Sequence, residues 1–292
     1  MLIGVIGAAG VVGSAVVKVI GNSHTVFGKD PAFGAKWAPN NTYIWSKKDS
    51  CWYPDAMNGD PFSNGLDAVF ICVPTPWNAE REEFDSTHID SCMRELIDEG
   101  FDGLVILKST VLPTVIAESF WRNQLRIVAC PEFLNARSAY EDLRDADHIV
   151  IGGNLEDRTL CLEIHKQAQP GIRGYFLNTP EEAMMLKYMK NTYFAAKNAL
   201  FNQFYDFCSM FEWDYNAICS GLVLDDRIHP VHTDVPGYDG KRGYGGACLP
   251  KDVKSLAHVM KDSTFATPEE CLLQNVDRYN ESLKKDTGAS DG

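Results

Sequence analysis

Several features that would have narrowed the role of this chain at once are missing from its sequence. Its nine cysteines contain no C-x-x-C pair, and an odd, scattered set fits neither a disulfide framework nor a zinc site, so a reducing compartment, the cytoplasm, is expected. No run of Lys or Arg offsets a formal charge of −13, which argues against general affinity for nucleic acid or an anionic membrane surface. An anionic ligand must then be held by local groups. Beyond the first 21 residues, no uncharged stretch approaches the roughly 18 residues that span a bilayer. The first 21 residues, MLIGVIGAAGVVGSAVVKVIG, are apolar enough to imitate a secretory leader, but no positive region precedes them. They read as a strand, a tight turn and a buried helix. Internal repeats and low-complexity segments are absent too, and the loop histidines His229 and His232 read as solvated residues, so no metal site is expected.

What is present is an ordinary globular composition: 292 residues, 45% hydrophobic and 11% aromatic, enough for a large core and about two domains. Apolar runs at Leu2–Ile6, Ala68–Val73, Leu104–Leu107, Arg126–Ala129 and Ile149–Ile151 predict buried strands, separated by helix-length segments such as Ser86–Glu99 and Pro113–Arg122. That alternation predicts an α/β fold with a doubly wound parallel sheet over residues 1–178. Residues Pro31–Asn64 support no detailed assignment. At Thr179-Pro180-Glu181-Glu182 a capping box opens a stretch without Gly or Pro as far as Gly221, which predicts one long helix to about Phe211 within an all-helical domain over 179–286. Apolar residues nearly surround that helix, so burial against a second copy of the chain is expected. The loop His229–Gly246 carries five glycines and two prolines, a length usually reserved for function. A second capping box, Thr267-Pro268-Glu269-Glu270, precedes the last helix, and residues 287–292 are expected to be a disordered tail.

Four features carry chemistry. In Gly7-Ala8-Ala9-Gly10-Val11-Val12-Gly13, glycines between a strand and a helix allow a tight turn and let backbone N–H groups meet a pyrophosphate at the positive helix end. Asp30 ends the next apolar stretch, at the spacing of a carboxylate that accepts ribose hydroxyls and favours NAD over NADP. Cys248 follows a glycine loop and precedes a helix start and Lys251, a setting that favours a reactive thiolate. Lys187 and Asn191 stand at i, i+4 on the long helix, where both can donate to one oxyanion. Each has a plainer reading taken alone: a packing turn, a surface Asp, a small buried cysteine, surface helix decoration.

Taken together, Val73-Pro74-Thr75-Pro76, Lys108-Ser109-Thr110-Val111, Pro131-Glu132-Phe133-Leu134, Lys187-x-x-x-Asn191-Thr192-Tyr193, Asp225-Asp226-Arg227-Ile228 and Gly243–Asp252 resemble the motifs of the UDP-glucose 6-dehydrogenase family, within the wider group of UDP-glucose and GDP-mannose dehydrogenases. The resemblance covers nearly the whole chain, with the motifs in the family's order. It implies Cys248 as nucleophile, Lys187, Asn191 and Asp252 as its polar surroundings, and Thr110 and Glu132 as the groups handling water and protons. NAD would meet Gly7, Gly10, Val11, Val12, Gly13, Asp30, Val73, Pro74, Thr75, Ser109, Thr110 and Lys251. The nucleotide sugar would meet Glu132, Phe133, Leu134, Lys187, Asn191, Tyr244, Gly245 and Gly246, with Arg227 reaching it across a homodimer interface. In this resemblance the chain departs from the family at Ala136-Arg137, where Glu-Gly is usual, and at His148, where an Arg is expected. It also stops about where family members begin a second dinucleotide-fold domain that holds much of the UDP, and the loop His229–Arg242 is expected to replace part of that domain, with Lys241 and Arg242 pairing with phosphate. The leading expectation is oxidation of the C6 alcohol of UDP-glucose to the carboxylate with two NAD. GDP-mannose or another UDP-sugar as substrate, a two-electron hydroxyacid dehydrogenase and an inactive dinucleotide-binding protein stand as alternatives.

Overall fold

The computed structural model describes residues 1–33, 42–46, 48, 51–54, 65–261 and 271–286. In chain order it contains β1 (Leu2–Ile6), α1 (Val11–Ile20), β2 (Thr25–Lys29), β3 (Thr42–Ser46), β4 (Cys51–Pro54), β5 (Ala68–Ile71), the short β6 (Trp77–Asn78) and β7 (Glu83–Phe84), α2 (Thr87–Asp98), β8 (Leu104–Leu107), α3 (Pro113–Glu118), β9 (Arg126–Ala129), α4 (Ala139–Arg144), β10 (His148–Gly152), α5 (Leu155–Ala168) and β11 (Arg173–Leu177). The helices α6 (Pro180–Met210), α7 (Tyr215–Leu222), α8 (Leu249–Lys261) and α9 (Leu272–Asp286) follow. The chain divides into two compact units, one of Met1–Pro76 with Phe84–Lys187, the other of Trp77–Glu83 with the residues from Tyr188 onward.

The first unit is built on a nine-stranded sheet in the order β11-β10-β9-β8-β5-β1-β2-β3-β4. Its centre is parallel: β1 pairs with β2 on one side and β5 on the other, and β5, β8 and β9 continue in the same direction. Strand order therefore reverses at β1, which makes the ends of β1 and β5 the topological switch point of a doubly wound sheet. The alternation of side chains shows why the strands read as unbroken apolar runs. Ala68, Phe70, Leu104 and Ile106 pack on one face with α1 and α5 residues such as Val16, Ile20 and Ile164, while Val69, Ile71, Val105 and Leu107 pack on the other with Ile89, Met93 and Trp121. Parallel strands covered on both sides have no polar face to show, and each fully buried aliphatic side chain contributes about 1.5–3 kcal/mol.

Two features differ from the expectation of a parallel sheet. The hairpin β3–β4 extends the sheet antiparallel to β2, within the stretch Pro31–Asn64 whose periodicity was too irregular to assign. At the other side β10 runs antiparallel to β9 and parallel to β11, so the sheet is mixed. The second capping box and the tail at 287–292 lie outside the described residues.

Helix α6 starts as its sequence predicts. The Glu182 N–H donates to Thr179 Oγ1 at 3.2 Å, and the Glu182 carboxylate accepts from the N–H groups of Thr179 and Asn178 at 3.3 and 2.7 Å, the reciprocal arrangement of a capping box. Arg122 adds a salt bridge to Glu181 at 2.7 Å. Within this chain the apolar surround of α6 is only partly covered: Tyr188 and Phe201 are buried, but Met189, Leu200, Phe204 and Phe207 are exposed. Among the described residues no helix is long and apolar enough to cross a membrane.

One buried group of the first unit makes its stability sensitive to acid. His165, on α5, donates Nδ1–H to the Cys161 carbonyl at 2.8 Å, leaving Nε2 buried without a partner among the described residues. Burial, then the charge of Lys108, pushes its pKa down to about 3 from 6.5. The unfolded chain therefore binds a proton that the folded chain refuses, and stability should fall by about 1.4 kcal/mol per pH unit as pH drops below 6.5 towards 3. Urea denaturation at pH 6.5, 5.5 and 5.0 checks this: His165→Leu should flatten the slope, and an equal slope in the two proteins would contradict the assignment.

Candidate active site

In the first unit the candidate residues collect at the C-terminal ends of the parallel strands. β1 leads into Gly7, whose φ of +84° belongs to the left-handed region; a Cβ there would lie 2.5 Å from the Cys72 carbonyl oxygen. Gly13 is tighter, since its Cβ would sit 2.0 Å from the oxygen of Gly7. The two glycines thus let α1 begin directly against the strand ends. Gly10 caps α1 with no side-chain hydrogen bond, and no acidic residue stands in the first turn. The N–H groups of Val11 and Val12 then have no intrahelical acceptor, which leaves an anion-binding helix start. Asp30, at the end of β2, accepts from the N–H of Ala9 at 2.9 Å and of Ala32 at 2.8 Å, so its carboxylate lies against the glycine turn. Lys29 pairs instead with Glu95 on α2.

The next strand ends are tied to each other. Ser109 Oγ donates to the Val73 carbonyl at 2.7 Å and Thr75 Oγ1 to the Thr110 carbonyl at 2.8 Å, which joins the Val73-Pro74-Thr75 and Ser109-Thr110 segments. Below them Lys108, 2% exposed, donates to Cys130 Sγ at 3.3 Å. Cys161 and Lys108 hold the Cys130 thiol below its ordinary range, whereas burial pushes the Cys72 thiol up to about 12. The Cys130 sulfur is thus a partner of the buried ammonium. After β9, Glu132 accepts from the Leu134 N–H at 2.7 Å and from Lys187 Nζ at 3.2 Å. Lys187 also stands over the Phe133 ring, 5.4 Å from its centroid. Both partners are nearly buried, with 5% and 9% of their side chains exposed, so the pair is held much more firmly than a surface salt bridge.

The second unit holds the other group. Asp252, fully buried in the first turn of α8, accepts from Asn191 Nδ2 at 2.6 Å and pairs with Lys251 Nζ at 2.6 Å. Burial, then the Asp252 charge, raises the Tyr188 hydroxyl well above its usual range. Cys248 is exposed and forms no disulfide. Its carbonyl accepts from the Asp252 N–H at 3.0 Å, which places Cys248 at the N-terminal cap of α8, where an anion is favoured.

Other expected residues are committed elsewhere. Arg227 is exposed and chelated by Asp225 of its own loop at 2.5–3.1 Å. Arg242, expected to meet phosphate, is instead drawn onto α6: it pairs with Asp206 at 2.7 Å, donates to Asn202 and covers the Tyr205 ring. Lys241, Gly245 and Gly246 are exposed, and Tyr244 is 3% exposed with its hydroxyl 3.5 Å from Asp277. The loop 229–242 is anchored as well, by Lys197 on the His229 carbonyl and by His232 on the Phe194 ring at 4.8 Å. Sequence reasoning carried Lys108 only as part of a family motif, without a role, and missed Cys130 and the buried asparagines Asn202 and Asn280. A Lys ending the apolar run Leu104–Leu107 was the available signal for the first; a single Asn on an amphipathic helix carries none.

Residues 181–282 match the central domain of the UDP-glucose/GDP-mannose dehydrogenase family and residues 59–169 its NAD-binding domain. The chain belongs to that family. It is similar to a UDP-glucose 6-dehydrogenase of Rickettsia typhi, 27% identical over 273 residues, which are 88% of this chain and 61% of the relative. A UDP-glucose 6-dehydrogenase of Campylobacter jejuni is 29% identical over 223 residues, 75% of this chain and 54% of the relative. The chain thus spans between about half and two thirds of such relatives. Among solved structures it resembles a UDP-glucose dehydrogenase from Pyrobaculum islandicum, with a TM-score of 0.74 at 23% identity over 100% of this chain and 72% of that one. A 3-hydroxyisobutyrate dehydrogenase of Mycobacterium tuberculosis shares the fold at a TM-score of 0.70 and 16% identity, over 98% of this chain and 94% of that one. NAD is the cofactor that the N-terminal family match supports, and the glycine cradle without room for a Cβ fits it.

The cradle is testable. Gly13→Ala forces a methyl group into the Gly7 carbonyl and should lower stability by about 1–3 kcal/mol or more. Thermal denaturation measures it, and a variant melting with the wild type would show that the turn yields.

Proposed function

We propose that this chain carries the NAD-dependent oxidation of a nucleotide sugar, UDP-glucose first, converting the C6 alcohol to the carboxylate through a covalent intermediate on Cys248. The observation that carries this reading is the exposed Cys248 at the cap of α8, followed one turn later by the fully buried Asp252 with its partners Asn191 and Lys251. NAD supplies the hydride acceptor at both oxidation steps. The residues of the chain supply the rest. The Cys248 sulfur adds to the C6 aldehyde carbon and forms a C–S bond. Oxidation of that thiohemiacetal leaves a thioester, and water then replaces sulfur, releasing the carboxylate and the thiolate. Lys187 and Asn191 offset negative charge on the C6 oxygen. Glu132 or Asp252 takes the proton of the attacking water, with Thr110 holding that water. Asp30 favours NAD over NADP, because a carboxylate repels a 2′-phosphate. Lys241 is kept as a phosphate partner, and Arg242, engaged with Asp206, is not.

A homodimer completes the proposal. The exposed Leu200 and Phe204 of α6 border a groove of about 670 Å³ lined by Leu222, Leu272 and Val276, and an apolar surface of this kind marks an association site. Arg227, at the groove's rim, would serve the neighbouring copy. A two-electron hydroxyacid dehydrogenase, in which Cys248 would be idle, is the second reading, suggested by the likeness in fold to the hydroxyisobutyrate enzyme.

Stoichiometry separates the readings. Two NADH should form per UDP-glucose consumed, and Cys248→Ala should abolish net acid formation; one NADH per substrate, or acid production by the variant, would overturn the covalent mechanism. Sedimentation equilibrium should show a dimer at micromolar concentration that Phe204→Glu dissociates. An active wild-type monomer would remove the shared Arg227.

A further inference from the structure

The loop that delivers Cys248 is held at its root by one side chain that the proposed chemistry does not mention. Asn280 lies on α9 and is fully buried. Its Oδ1 accepts the Tyr244 N–H at 2.7 Å and its Nδ2 donates to the Tyr244 carbonyl at 3.1 Å. One amide thus closes a ring with both backbone groups of a single residue, as a neighbouring strand would. Gly243 makes the approach possible, because its φ is +77° and a Cβ there would fall 2.4 Å from Asn280 Oδ1. A second asparagine secures the adjoining residue: Asn202 Oδ1, on α6, accepts the Gly243 N–H at 3.2 Å.

Between this clamp and Cys248 only Gly245, Gly246 and Ala247 remain, all exposed. Neither glycine has an atom within 4 Å of where a Cβ would lie. The space beside both glycines is open, and the span is tied at its two ends, by the start of α8 and by the Asn280 clamp. An asparagine amide suits the second end because it supplies one donor and one acceptor in a fixed plane, and burial makes each bond costly to lose.

We propose that Asn280 is a positioning residue for Cys248, fixing the entry of the glycine span so that the sulfur is presented in one orientation at the cap of α8. This rests on the reading of Cys248 as the nucleophile. Asn280 touches no substrate in this role and acts only through the Tyr244 backbone.

The test uses the full chain with Asn280→Ala, Asn280→Asp and, as a control, Tyr215→Phe, which removes a different buried hydrogen bond of the same unit, Tyr215 Oη to the Thr233 carbonyl at 2.6 Å. Asn280→Asp keeps the shape and the acceptor for the Tyr244 N–H, and carries the test if the alanine variant does not fold. The rate of Cys248 carbamidomethylation by iodoacetamide is read by peptide mass spectrometry, beside melting temperature and kcat and KM for UDP-glucose. The Asn280 variants should lose roughly 10- to 100-fold in kcat, the scale of a misplaced reacting group, with KM nearly kept, and Cys248 should alkylate more slowly. Tyr215→Phe should melt earlier but retain both rates. Alkylation as fast as in the wild type, or faster, in the folded Asn280 variants overturns the inference. So does an equal loss in Tyr215→Phe, because stability alone would then explain it. Failure of the proposed function shows separately, as a wild-type protein that does not oxidise UDP-glucose, and leaves the alkylation measurement to decide on Asn280.

Discussion

Burial of the parallel strands on both faces is the constraint on which the first unit depends. A strand whose alternate side chains enter two cores, as Val69 and Phe70 do, has no lateral surface left for chemistry. Polar and reactive residues are confined to the positions just past its C-terminal end. Gly7 follows β1, Val73-Pro74-Thr75 follow β5, Lys108-Ser109-Thr110 follow β8, and Glu132 follows β9. The hydrogen bonds from Ser109 to Val73 and from Thr75 to Thr110 are the local price of turning several chain ends along one edge, since each buried backbone carbonyl needs a donor. A dinucleotide-binding edge is where such a sheet can act.

Charge is managed in the same spirit. With 27 basic residues against 40 acidic ones, cations readily find carboxylates within the chain. Lys187 sits on Glu132, Lys251 on Asp252, Arg242 on Asp206 and Arg227 on Asp225. The pairs on the nearly buried Glu132 and Asp252 differ in kind from those on the half-exposed Asp206 and Asp225. Removing Asn191 or Lys251 would leave Asp252 without part of its compensation in a fully buried place, whereas the Arg227 pair is screened by solvent. Lys108 finds sulfur instead, on Cys130.

In the second unit, order and exposure are divided between neighbouring residues. Asp252 is fully buried and Cys248, one turn earlier, is exposed. The helix start of α8 lets both be true, because its cap faces outward while its first turn packs inward. The glycine-rich approach to Cys248, which reads as flexible, is anchored at Tyr244 and Arg242 by α9 and α6. Its freedom is confined to the three residues before the cysteine.

Much of this was legible in the sequence. The strands β1, β5, β8, β9 and β10, the glycine turn and the capped start of α6 are local: periodicity, φ requirements and the Thr179–Glu182 reciprocity are properties of consecutive residues, and they hold wherever the segment is placed. The hairpin β3–β4 and the reversal at β10 were not legible, because pairing direction depends on partners distant in the chain. Nor was the fate of the charged side chains. Arg242 looked free for phosphate until α6 brought Asp206 and Asn202 to it, and Asn280 looked like any polar residue of an amphipathic helix until Gly243 and Tyr244 were packed against it. Sequence alone determined the central strands, the glycine turn and the capped start of the long helix, since those choices rest on local sterics and on where apolar side chains recur. The tertiary structure decided which polar groups are already satisfied, since a hydrogen bond or ion pair over 36 or 40 residues of chain exists only once packing has fixed the distance between its partners.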